Sequence, residues 1–83
     1  MTIQWNTKFD DEANALYLQL REGVVHRTVP ISESVMIDVN RNNRVLGVEF
    51  LNPDEFPTFV RTYFSNPELL QNEVRAHAKA EYA

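Results

Sequence analysis

The chain has no cysteine, which removes a disulfide framework, a thiolate metal site and a cysteine nucleophile together. Its 2 glycines, Gly23 and Gly47, stand far apart. There is therefore no glycine-rich phosphate loop, and Ser32, Ser34 and Ser65 lack the flanking glycines of a nucleophile elbow. The 2 histidines, His26 and His77, have no metal-ligand spacing. No run approaches the roughly 18 apolar residues of a membrane span, and the opening MTIQWNTKFDDE lacks the apolar core of a signal peptide. Basic residues are scarce as well: 8 Lys and Arg against 12 Asp and Glu give a formal charge of −4, which repels a phosphate backbone at long range. A cytoplasmic chain is expected, with no cofactor and with neither nucleic acid nor a membrane as its direct partner.

What is present is alternation. In SVMIDVNRNNRVLGVEFL, residues 34–51, two apolar runs flank Asn42-Asn43. With these two as loop residues in a type I′ turn, Arg41 faces Arg44, while Val35, Ile37 and Val39 fall opposite Phe50, Val48 and Leu46. Upstream, Ile3, Trp5 and Phe9 alternate with polar residues, Leu16, Leu18 and Leu20 resume the pattern after Asp10-Asp11-Glu12-Ala13-Asn14, and Val25, Val29 and Ile31 follow Glu22-Gly23. Pairing Phe9 with Leu16 and Arg21 with Val24 collects these side chains on one sheet face. The other face then carries Tyr17, Gln19, His26, Thr28, Asp38 and Glu49. Arg27 is the polar exception on the apolar face, where its stem can lie on leucines while the guanidinium reaches the edge.

The apolar face needs a cover. Phe59, Val60, Tyr63 and Phe64 form a helical stripe. Pro57 suits a first helical turn, and Ser65-Asn66-Pro67-Glu68 reads as the start of a second helix with the stripe Leu70, Val74, Ala78 and Tyr82. The expectation is one α+β domain over residues 1–83, an antiparallel five-stranded meander (2–9, 15–21, 24–31, 34–41, 44–51) covered by a tail, residues 52–83, holding helices over 57–64 and 67–81. A domain of 83 residues buries only roughly 60–65% of its unfolded surface, so a partner or a second copy would add stability.

FDDEANALYLQLREG, then VVHRTVPI and VMIDVNRNNRVLGVEFL, resemble a family of small bacterial proteins catalogued as domain of unknown function 2283. Its members carry an Asp-Ala-Leu-Tyr stretch and, later, an Asp-x-Asp-x-x-Gly turn before Gly-Ile-Glu. Ala15-Leu16-Tyr17 and Gly47-Val48-Glu49 match at the expected separation, with Asn14 where aspartate is usual and Asn43 where the hairpin glycine is usual. The similarity covers about residues 6–51. It implies a small β-rich fold and no established activity.

Asp38 and Glu49 are the candidates for acid–base chemistry, as diagonal neighbours beside Gly47, with His26 as a further candidate; a solvated sheet face is the plainer reading. Asp10, Asp11, Glu12 and Asn14 lack the glycine and distal glutamate of a calcium loop and read as turn chemistry, so no metal is expected. Tyr17 and Met36, together with the tail aromatics Phe56, Phe59, Tyr63 and Phe64, are the candidates for a protein contact. The leading expectation is a non-catalytic interaction module, acting as a homodimer or as the partner of another protein, with masking of a basic partner in the manner of an antitoxin as one form. The alternative is a small-ligand binder or enzyme using Asp38 and Glu49.

Overall fold

A computed structural model of the chain describes residues 6–63 and 65–82. Five strands, β1 (Asn6–Asp10), β2 (Ala15–Gln19), β3 (Arg27–Pro30), β4 (Val35–Val39) and β5 (Val45–Phe50), precede a 3-10 turn (Pro53–Glu55) and the helices α1 (Phe56–Tyr63) and α2 (Pro67–Tyr82). The expected α+β class, five antiparallel strands followed by two helices, is what forms. Ile3 and Trp5, at the start of the expected first strand, lie outside the described residues, as does Phe64.

The strands do not lie in chain order. The sheet runs β1-β2-β5-β4-β3, so the expected turn pairing Arg21 with Val24 is overturned and the sheet is not a simple meander. Backbone hydrogen bonds explain the change. The N–H groups of Leu20 and Arg21 both donate to the Leu46 carbonyl, at 2.8 and 3.0 Å, and that of His26 donates to the Val39 carbonyl at 2.9 Å. The 20–26 connection thus leaves β2 against β5 and crosses to the far edge, a span of three strand spacings or about 14 Å, within reach of a chain that extends about 3.3 Å per residue. Gly23 passes over Leu46 on the way, where a Cβ would stand 2.9 Å from Leu46 Cδ2. Val24 and Val25 consequently stay exposed, at 85% and 48%. In exchange β5 moves from the edge to a place between β2 and β4, and the paired Leu18 and Val48 are fully buried.

The β4–β5 hairpin follows the expected register from Val35 opposite Phe50 to Asp38 opposite Gly47. It then departs from it: an irregularity between Asp38 and Val39 places Val39 opposite Val45, not Leu46. The loop is also longer than a type I′ turn, which needs positive φ at both central residues. Of the loop residues only Asn43 has it, at 63°. Asn40 closes the loop, exchanging backbone bonds with Asn43 and Arg44 at 3.0 Å while its Oδ1 accepts from the N–H groups of Asn42 and Arg44 at 2.9 and 3.0 Å. Arg27 reaches the same loop, its Nη2 donating to Asn43 Oδ1 at 2.8 Å.

The helices cover the apolar face. Phe50 meets Phe56 and Phe59 edge to face, with ring centres 5.5 and 5.0 Å apart, and Leu70 and Val74 of α2 are buried with them. The side chains of Ala78 and Tyr82 lie outside the described ones. Each such buried side chain stabilises by about 1.5–3 kcal/mol. Of the candidates for a partner contact, Phe59 is buried in this core, and Phe56 and Tyr63 are partly buried against it.

Candidate functional site

The pleat sends alternate residues of β2, β3, β4 and β5 away from the helices. Across that open face Tyr17 lies between Lys8 and Glu49, with Met36 beyond, and Gln19, Gly47, Asp38 and Thr28 form the adjacent row. Asp38 and Glu49 are diagonal neighbours, as the sequence predicts, a spacing of about 7–8 Å between backbones.

Asp38 is the hub of this face. Thr28 Oγ1 donates to its Oδ1 at 2.6 Å, and the Tyr17 hydroxyl is hydrogen-bonded to it as well. Gly47, directly opposite Asp38, makes room for that second bond: a Cβ there would collide with the Tyr17 phenol and come within 3.0 Å of the Leu18 carbonyl oxygen. The space beside Gly47, which could have taken a ligand, is filled by Tyr17. Partial burial, the Asp38 charge, the hydrogen bond to Asp38 and the Glu49 charge together push the Tyr17 hydroxyl from 10.0 up to about 12. Each of these favours the neutral phenol.

The arrangement is a fixed acceptor beside a fixed donor. A carboxylate that accepts two hydroxyl protons is held in place, and a phenol that keeps its proton to high pH is a donor, not a base. Glu49 and Met36 flank the network, half-buried. His26 sits exposed just ahead of β3. Among the described residues no three His, Asp or Glu side chains gather as a metal site does, and Asp10 Oδ1 accepts from the N–H groups of Glu12 and Ala13 at 3.0 and 3.3 Å, which closes the β1–β2 turn. No helix of the described residues is long and apolar enough to cross a membrane. Sequence reasoning missed Thr28 as a partner of Asp38 and Gly47 as the seat of Tyr17. The signal for Thr28 was the β3–β4 pairing, which places it opposite Asp38, whereas the signal for Gly47 was the strand order, since only a sheet with β2 beside β5 puts Tyr17 over Gly47.

A family model described as Protein of unknown function (DUF2283) matches residues 6–52. No curated protein and no solved structure matches the chain. The matched segment is the five-stranded sheet and stops ahead of the helices. Within it, Ala15-Leu16-Tyr17 and Gly47-Val48-Glu49 lie on neighbouring strands, with Tyr17 opposite Glu49 and Gln19 opposite Gly47. The two segments that carry the resemblance are thus one contact in space.

Proposed function

We propose, from the premise that the chain belongs to the DUF2283 family of proteins of unknown function, that it is a non-catalytic protein-interaction module of the cytoplasm whose open sheet face receives a basic partner. One observation carries this reading: the helices pack on one side of the sheet, and the other side presents Tyr17, Met36, Asp38 and Glu49 in an ordered, half-buried array. Tyrosine and methionine are favoured at protein contacts, and the two carboxylates match lysine or arginine on the partner. A second copy fits this face less well, because it would set Asp38 and Glu49 against their own kind. Catalysis by the same carboxylates has less support, since Asp38 already accepts from Thr28 and Tyr17.

The test is affinity capture from the cells that make the protein, comparing the natural chain with Glu49→Lys and with Arg61→Gln on the exposed side of α1. Retention of one basic protein in stoichiometric amount by the natural chain and by Arg61→Gln, with loss from Glu49→Lys, supports the reading. Equal retention by all three, or capture of nothing by the natural chain, overturns it.

A further inference from the structure

On the other side of the molecule, α2 and the β4–β5 loop enclose a cleft of about 700 Å³. Its floor is apolar, with Leu20 half-buried and Leu70 buried. Its walls carry three arginines from three parts of the chain: Arg21 from the 20–26 connection, Arg44 from the loop and Arg75 from α2. The one carboxylate among the lining residues is Glu68. Among the described residues neither Arg21 nor Arg44 forms an ion pair, and Arg75 Nη1 reaches only the neutral Asn72 Oδ1, at 3.4 Å. In a chain of net charge −4, three guanidinium groups share one cleft with a single acid, and two positive charges stay uncompensated. Like charges brought together repel, and an anion between them reverses the sign of that interaction.

The cleft is braced from within. Gln71 Nε2 donates to the Asn43 carbonyl at 2.5 Å and ties α2 to the loop, so the two walls hold their separation. A volume of this size suits a small organic molecule, and an apolar floor with a few convergent polar groups is the usual build of such a site. Arginine forks bind phosphate oxygens bidentately. A phosphate monoester near neutral pH carries roughly −1.5 to −2, the charge the cleft lacks, and its organic part can lie on Leu20 and Leu70.

We propose that this cleft binds a phosphate monoester with an apolar or aromatic body, through Arg21, Arg44 and Arg75. It is a second site, apart from the open sheet face, and stands or falls independently of the protein-interaction reading.

Titration of the full chain with phenyl phosphate, followed by amide chemical shifts, tests the proposal. Saturable shifts are expected at Asn43, Leu70 and Gln71, with inorganic phosphate and phenylacetate each binding about ten-fold more weakly because one lacks the apolar body and the other one charge. Removing a charged hydrogen-bond donor costs enough for about a ten-fold loss, so Arg44→Gln and Arg75→Gln should each weaken phenyl phosphate by that factor or more. Both residues are exposed, so the unfolding temperatures should not move. Arg61→Gln should bind as the natural chain does. No saturable shift at millimolar phenyl phosphate, shifts outside the cleft only, or equal weakening by Arg61→Gln overturns the proposal. Tight binding of an acidic peptide without binding of phenyl phosphate overturns it in favour of a protein segment.

Discussion

At Gly47 the missing side chain is what lets the Tyr17 phenol lie over β5 and bond to Asp38. Gly47→Ala should therefore lose about 1–3 kcal/mol, the usual effect of forcing an added methyl into a filled space, as read by denaturant unfolding. Residues in contact couple, so Tyr17→Ala should absorb much of that loss, and the double variant should be less damaged than the two single effects added together. Strict additivity would mean that Tyr17 does not occupy the Gly47 surface. Tyr17 also sets a pH dependence. An unfolded tyrosine ionises near 10.0 and folded Tyr17 near 12, so between these values the folded state holds the extra proton. Stability is then fully present below pH 10 and falls as pH climbs toward 12. Tyr63, raised mainly by burial and also by Glu73, acts in the same direction. Tyr17→Phe should flatten part of the decline in unfolding free energy measured across this window, and an unchanged slope would contradict the raised ionisation of Tyr17, which burial and then Asp38 bring about.

The β4–β5 hairpin shows what alternation determines and what it does not. Val35, Ile37, Val48 and Phe50 were legible as core because one face of each strand must be buried and a slip of one residue would expose all four. The irregularity beside Val39 was not legible, because it depends on Asn40 closing a longer loop through its own side chain, which the Asn42-Asn43 pair disguised. The strand order was hidden for a related reason: a turn at Glu22-Gly23 and a crossing through the same residues have similar composition, and what separates them is β5, an edge strand in a meander but here buried between β2 and β4. Of the open face, Asp38 and Glu49 were legible from the hairpin and Tyr17 from the alternation of β2, but the seat of Tyr17 over Gly47 was not, because it depends on β2 lying beside β5. At Asn43, φ of 63° and the bond from Arg27 pull substitutions in opposite directions. Glycine relieves the backbone and loses the bond, so Asn43→Gly should stay within about 1 kcal/mol of the natural chain. Asn43→Ala loses the bond and keeps the strain, and should cost about 1–2 kcal/mol more than glycine. Equal unfolding midpoints for the two variants would count against a left-handed backbone at this position.

For the whole molecule, the helices cannot be an optional tail, because Phe59, Leu70 and Val74 complete the core that Phe50 and Val48 begin. A chain ended at Asn52 should therefore lose its cooperative thermal transition by circular dichroism, and a sharp retained transition would show that the sheet stands alone. The same burial changes what to expect of self-association. Phe59 is buried in the core and Phe56 and Tyr63 are partly buried against it, which leaves less of them for a second copy; β3 is short and ends in Pro30, which blunts that edge, and the open face repeats Asp38 and Glu49. What remains is β1, exposed along its length with Phe9 at 53%, but Lys8 and Asp10 on the same edge strand disfavour pairing with another sheet. Light scattering coupled to size exclusion at micromolar concentration should give a mass near one 9.7 kDa chain across a tenfold dilution series. A mass near two chains that persists on dilution would move the interface to another copy, and Phe9→Lys would then separate the edge from the face: loss of the dimer assigns it to β1, whereas its survival, with loss on Met36→Lys, assigns it to the open face.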